Sequence, residues 1–193
     1  MNFALNEVQS MVTKAARGSG LDWNFAADAG RAARWLARQG LDGCGTAYAA
    51  FRDVPGAGSP VLTGAWCVDH ARQLASVTQT EIPVRAPLLF MGFAAQLARL
   101  RHGQPVGVEF HGSTWCTDGH SVSGPMEQPS SEPSIILLNL DATMGKPRPF
   151  CSRATPNPED WAGLERLAAL TYAPATDASR ASGAGAGVAT DND

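Results

Sequence analysis

The chain has 193 residues, 44% of them hydrophobic, and a formal net charge of −3. This is enough apolar material for one domain with a sizeable core. The charges are well mixed, which argues against a nucleic-acid or membrane-surface partner, and no apolar run reaches the length of a membrane span. Residues 1–7 lack a basic segment followed by an apolar one. We therefore expect no signal peptide, a cytoplasmic protein and reduced cysteines.

The first fifty residues predict a layer of helices. Asn6 and Gln9 have the spacing of a capping box, and apolar residues then recur at helical spacing until Gly18. A second helix is predicted over about residues 24–39, ending before Gly40, which suits the position after a helix C-terminus. A short third helix is predicted over residues 46–52.

The middle of the chain predicts one core helix followed by strands. Residues 54–60 are rich in proline and glycine and predict a loop. Residues 87–101 are too apolar on all sides for an exposed helix, so we expect a central core helix there. Alternating and apolar runs then predict strands over residues 106–110, 114–117, 120–123, 134–140 and 148–154.

A last helix is predicted from Pro158 to about Tyr172, with a proline and acidic residues in its first turn. The pattern predicts a single α+β domain over residues 1–193, with a helical part (1–53), a central helix and mainly antiparallel sheet (54–157) and a C-terminal helix and tail (158–193). We expect Trp23, Trp35 and Trp161 to be largely buried, because an indole fills the space that small neighbours leave.

The glycine-rich tail is the most distinctive segment of the chain. Its pattern consists of Arg180 followed by Gly183, Gly185, Gly187, Asp191 and Asp193. Glycine leaves backbone N–H groups uncovered, so such a run can surround a small anion or lie against another backbone. We interpret the tail as an ordered segment packed against the domain.

Two short Cys/His pairs offer a possible metal site. Cys67 with His70, and Cys116 with His120, supply the four ligands that tetrahedral zinc needs. The spacing is loose and neither pair has the CxxC form. The alternative is that both cysteines are small buried hydrophobes, and we expect this one, with no zinc and no cofactor.

Cysteine nucleophiles need a neighbouring base that forms the thiolate. Cys116 with His120 or His111 is the best candidate by sequence spacing. Cys44 is the second, because it lies in a glycine-flanked turn at a predicted helix N-terminus, where the helix dipole would lower its pKa.

Basic residues crowd the first two helices. Arg31, Arg34 and Arg38 share one helical face near Trp35. A solvated face is the more common meaning of such a pattern, and an arginine that binds a carboxylate is the alternative.

Several motifs resemble an uncharacterised bacterial family, known only as a domain of unknown function. They begin with Leu5-Asn6-Glu7-Val8 and continue with residues 14–23, 27–30, 34–36 and 40–43. They end with residues 171–176, 179–180, 183–187 and 190–193. The resemblance implies that the glycine-rich tail is a family feature, and it carries no established activity.

The sequence favours a small-molecule catabolic enzyme, a hydrolase or lyase acting on a carboxylate-bearing metabolite. In this hypothesis Arg17, Arg34 or Arg180 binds the acid group, since a guanidinium matches a carboxylate bidentately. Asp191 or Asp193 is the acid–base residue, and the site lies where the first helices meet the tail. The alternative is a non-catalytic small subunit or binding module, in a homodimer or with a partner enzyme on which its tail docks.

The tail hypothesis predicts slow amide hydrogen exchange within residues 183–193 of the intact chain, because packed backbone groups are protected from water. Hydrogen-exchange mass spectrometry on peptides from this region measures the protection. Complete exchange at the earliest time point throughout the tail would contradict the prediction.

Overall fold

The computed structural model describes residues 1–52, 56, 58–74 and 79–171. Their helices are α1 (Leu5–Gly18), α2 (Trp23–Arg38), α3 (Gly43–Phe51), α4 (Pro60–Asp69), α5 (Ala71–Leu74), α6 (Pro87–Leu100) and α7 (Pro158–Ala169). Their strands are β1 (Phe3–Ala4), β2 (Gln79–Val84), β3 (Val106–Phe110), β4 (Ser113–Thr117), β5 (Val122–Ser123), β6 (Ser134–Asn139) and β7 (Arg153–Ala154). The fold is α+β, as the sequence predicts.

The strands form one antiparallel sheet and one short ribbon. The sheet has the order β2-β6-β3-β4-β5, and β1 pairs with β7 in the ribbon. In the register of the sheet, Val108 lies opposite Leu138 on one side and Trp115 on the other. All three side chains are buried, so one face of the sheet contributes directly to the core.

Helix α6 lies at the centre of the core, as its composition predicts. Its residues from Pro87 to Phe93 are all buried, and it packs against α2, α3, α4 and strand β3. Helix α2 packs closely on α1 through small side chains, including the fully buried Ala26, Ala29 and Ala33. No helix of the described residues combines the length and apolar character needed to cross a membrane.

The predicted helices are present, with differences at their ends. Helix α1 begins at Leu5, and the Glu7 carboxylate accepts a hydrogen bond from the backbone N–H of Ala4, so the proposed Asn6/Gln9 capping box is wrong. Helix α3 begins at Gly43, three residues early, because the Asp42 side chain accepts from the backbone N–H of Gly45.

Four elements of the described residues, β1, α4, α5 and β2, were not predicted, and one predicted strand is mostly absent. Helix α4 is apolar on most sides and lacks the polar face that periodicity detects, although Ser59 caps it and Pro60 opens it. Strand β2 contains Pro83 and lies at the edge of the sheet, where a missing N–H is tolerated. Of residues 148–154 only Arg153–Ala154 is a strand, since prolines at 147 and 149 cannot donate to a ladder.

The tryptophan prediction is right at two positions and wrong at the third. Trp35 and Trp161 are each only 7% exposed, whereas Trp23 is 68% exposed. Trp23 is the first residue of α2, so no preceding turn of the helix lies under its indole, and Arg17 is the neighbour that packs against the ring. The predicted tail, residues 183–193, lies outside the described residues.

The two tryptophans allow a matched test of this packing. The Trp161 indole stacks on Phe3 with ring centroids 3.7 Å apart and donates to Glu165. Trp161→Ala should lower the free energy of unfolding by about 3–5 kcal/mol, because it leaves a large cavity. Trp23→Ala should lower it by less than about 1 kcal/mol, as ordinary surface changes do. Urea unfolding measures both, and equal losses would contradict the packing.

Candidate functional site

The link between α2 and α3, residues 39–42, is held by two segments that come from much later in the chain. We call this link the α2–α3 junction. The Gln128 amide donates to the carbonyl of Gly40 at 2.9 Å and accepts from the backbone N–H of Asp42 at 3.1 Å. The backbone N–H of Cys151 donates to the carbonyl of Arg38 at 2.7 Å. These contacts fix the starting point of α3.

A cleft of about 430 Å³ opens beside this junction, between the starts of α3 and α7. We call it the α3–α7 cleft. Its polar lining side chains are those of Asp42, Cys44, Gln128, Cys151, Arg153, Thr155 and Asn157. Its other lining residues are Ala37, Gly40, Leu41, Gly43, Ala154 and Pro156.

Two carboxylates meet at the start of α3, on the Asp42 side of the cleft. A Cβ on Gly45 would lie 2.2 Å from Oδ2 of Asp42 and 2.8 Å from Oδ2 of Asp160, so only glycine leaves room for both. Burial raises the pKa of Asp160, and the negative charges of Asp42 and Glu159 raise it further, while Arg52 acts in the opposite direction. This carboxyl therefore holds its proton to a higher pH than an isolated aspartate.

Cys44 is a poor source of thiolate. Burial, with smaller contributions from Asp42 and Asp160, raises the pKa of Cys44 to about 12. This is the opposite of the lowering that its helix N-terminus suggests, because desolvation and two nearby carboxylates outweigh the helix dipole.

Cys116 is buried within the sheet, whereas its predicted partner His120 is exposed. Burial and the charge of Asp118 raise the pKa of Cys116, against a hydrogen bond from the backbone of Thr117 that lowers it. The exposed His120 ring packs edge-on against Phe150, with centroids 5.1 Å apart.

The alternative zinc set is not assembled in the described structure. Cys67 is buried on α4, and burial raises its pKa to about 11. His70 follows that helix and stacks on Trp66. Cys116 faces Gly107 within the sheet. Among the described residues, no three His, Cys, Asp or Glu side chains are gathered where they could hold a metal ion.

The arginines predicted to bind substrate have partners within the helical layer. Arg17 donates to the carbonyl of Leu21 and lies 4.7 Å from the centre of the Trp23 indole. Arg34 donates to the Gln9 side chain at 3.0 Å. Neither arginine lines the α3–α7 cleft.

The remaining predicted site residues belong to the tail. Arg180, Gly183, Gly185, Gly187, Asp191 and Asp193 all lie outside the described residues. The ends of α1 and α7 do lie together, since a side chain on Gly18 would overlap the carbonyl oxygen of Leu167. Arg17 is therefore close to the end of α7, after which the tail follows.

Sequence reasoning did not select Asp42, Arg153 or Asp160. Asp42 and Asp160 each stand at the start of a helix, which is a structural position for an acid. The sequence marks these regions only as two helix starts, with Asp42 before a Gly-Cys-Gly turn and Asn157 before Pro158. Nothing in the local pattern indicates that these two starts meet in space.

Comparison with known families gives a match at the N-terminal side. The model of a family described as a protein of unknown function (DUF3726) matches residues 3–77. This range includes α1 to α5 and Asp42, while Arg153 and Asp160 lie beyond it. The C-terminal part of the resemblance, residues 171–193, also lies beyond it. No curated protein and no solved structure shows a significant match to the chain.

The carboxylate pair predicts a pH-dependent effect of Asp160→Asn. The pKa of Asp160 is raised in the folded state, so ionisation of this group costs stability above that pKa and costs nothing below the unfolded pKa of about 4. The variant should therefore be more stable than the parent at pH 7, with the gain disappearing as the pH falls below about 4.

Urea unfolding across this pH range measures the effect, with Glu159→Gln on the same exposed turn as the control. The control removes a negative charge from the first turn of α7 and leaves the Gly45 contact intact. A loss of stability at pH 7 in Asp160→Asn would show that its interaction with the helix dipole outweighs its burial.

Proposed function

We propose that the protein is a small-molecule enzyme that binds a carboxylate-bearing metabolite in the α3–α7 cleft and moves a proton on it, as a hydrolase or a lyase does. The observation that supports this proposal is the Asp42–Asp160 pair beside a cleft that also contains Arg153. The pair supplies proton transfer, and the guanidinium supplies recognition of an acid group.

Asp42 is the proton-transfer residue in this proposal because it lines the cleft. Asp160 is a positioning residue behind it. Two carboxylates that share one small space do not both ionise as readily as isolated ones, so the pair retains a proton at higher pH. Such a pair can accept a proton from a substrate and return it within one site.

Arg153 is the proposed partner of the substrate's acid group. Its side chain is exposed at the cleft and donates twice to Asn2, once to the side chain at 2.8 Å and once to the carbonyl at 2.9 Å. A guanidinium has five N–H donors, so three remain for a ligand. Arg153 thus takes the role of binding the acid group that the sequence suggested for Arg17 or Arg34. The roles of Arg180, Asp191 and Asp193 in the tail stay predictions.

A non-catalytic small subunit or binding module is the second candidate. It is favoured by the raised pKa values of Cys44, Cys67 and Cys116, which leave these thiols protonated and unsuited to nucleophilic attack. In that case the cleft would bind a ligand without converting it, and the tail would engage a partner enzyme. Both proposals assume a cytoplasmic protein and a resemblance to one family along the whole chain.

A panel of small hydroxy-, keto- and amino-acid carboxylates tests the enzyme proposal by thermal shift and by NMR detection of products. For a carboxylate that raises the melting temperature, Arg153→Gln should weaken binding roughly tenfold, since a charge-assisted contact is lost. Asp42→Asn should keep the helix cap and the binding while abolishing turnover, because asparagine caps a helix as well as aspartate does.

Arg31→Gln is the matched control, because Arg31 is an exposed arginine paired with Asp28 on α2 and does not line the cleft. Binding that Arg31→Gln weakens as much as Arg153→Gln would show non-specific charge attraction. Binding without turnover in the parent protein would favour the binding module, and turnover that survives Asp42→Asn would refute the assigned role.

A further inference from the structure

An exposed phenylalanine with basic neighbours lies outside the α3–α7 cleft, at the end of α2. Phe150 is 47% exposed. The guanidinium carbon of Arg38 lies 4.4 Å from the centre of its ring, and the His120 ring meets its edge at 5.1 Å. We call Arg38, His120, Arg148 and Phe150 the Phe150 cluster. None of the four lines the cleft.

Arg148 brings a second guanidinium into this cluster. It is only 9% exposed, and it donates to the carbonyls of Gln39, at 3.4 Å, and Pro125. Its charge has no acidic partner, because the one ion pair among the described residues joins Arg31 to Asp28. Asp118, two residues before His120 in the chain, accepts from the backbone N–H groups of His120 and Ser121.

Two buried polar atoms beside Arg148 are also without partners among the residues that the structure describes. Gln39 is fully buried, and its side-chain N–H donates to the carbonyl of His120 while its Oε1 has no hydrogen bond. The Trp115 ring lies 5.9 Å from the Arg148 guanidinium carbon, and its Nε1 has no hydrogen bond either. Such atoms are uncommon in folded proteins because each loses its hydration without compensation.

We propose that the Phe150 cluster binds a small aromatic carboxylate. The ligand ring packs against the exposed part of Phe150. The ligand carboxylate accepts from Arg38 and from the N–H groups of Arg148 that do not donate to the carbonyls of Gln39 and Pro125. A planar ring gains most from an aromatic surface, and a guanidinium matches a carboxylate in shape and charge. The two features together specify an aromatic acid over an aliphatic one.

A titration with sodium benzoate at low ionic strength, followed by ¹H–¹⁵N NMR, tests this site. Saturable chemical-shift changes should appear at the backbone amides of Arg148 and Cys151. These amides donate hydrogen bonds to the carbonyls of Val122 and Arg38, respectively. Cyclohexanecarboxylate keeps the charge without the aromatic ring, and benzyl alcohol keeps the ring without the charge. Each should bind at least about tenfold more weakly than benzoate.

Arg38→Gln and Phe150→Leu should each weaken benzoate binding about tenfold or more. Both replace side chains that reach the surface, and the NMR spectrum itself reports whether the variant is folded. Arg34→Gln is the control, since it removes an exposed arginine one turn earlier on the same helix and should leave the affinity unchanged.

Three results would overturn the proposal. The first is the absence of saturable shifts with benzoate. The second is an unchanged affinity in Arg38→Gln and Phe150→Leu, or an equal loss in Arg34→Gln. The third is a set of shifts centred on Asp42 and Gly43 that Asp42→Asn abolishes, which would place benzoate in the α3–α7 cleft and support the proposed function in place of this one.

Discussion

The carbonyl groups at the end of α2 are the point on which the rest of the structure depends. The last carbonyls of a helix have no partner within the helix and must find one elsewhere. Here Arg38, Gln39 and Gly40 offer their carbonyls to the backbone of Cys151, the side chain of Arg148 and the side chain of Gln128. Three donors from distant segments thus join the helical layer to the irregular chain that follows strands β5 and β6.

This attachment determines where the site residues lie. Gly40 has a φ of 70°, which turns the chain sharply after α2, and Gln128 then holds the backbone N–H of Asp42. With Asp42 fixed, α3 begins next to the start of α7, and Gly45 admits the Asp160 carboxylate that any side chain would exclude. The raised pKa of Asp160 is therefore a consequence of helix placement, since neither aspartate has an unusual local sequence.

The sequence predicts the elements with strong periodicity or composition and misses those without it. Helix α6 and strand β3 agree with their predicted ranges to within one residue, because one is apolar throughout and the other alternates toward a buried face. Helix α4 lacks a polar stripe, and Trp23 occupies the first position of α2, where no preceding turn lies under its indole. Local patterns record preference, and they do not record which side chains the fold leaves uncovered.

The candidate site was beyond sequence reasoning for the same reason. Asp42 and Asp160 look like helix-start residues, and their meeting depends on hydrogen bonds that involve Gln128 and Cys151. Residue types alone left the two Cys/His pairs open to a zinc site as well as to the expected buried cysteines, because the sequence does not show that Cys67 lies on a helix and Cys116 within the sheet.

The polar groups that oppose stability are concentrated around the α2–α3 junction. The apolar core spans helices and sheet, and its aliphatic side chains need no polar partners. At the junction, by contrast, the described residues include Asp160 with its raised pKa beside a second carboxylate, a buried guanidinium without an acidic partner and a glutamine with an unsatisfied oxygen. Arrangements that cost stability persist where a protein gains something other than stability from them. The contrast between the well-packed helices that carry Arg17 and Arg34 and the costly polar groups at the junction is therefore the physical argument for a functional site at the junction.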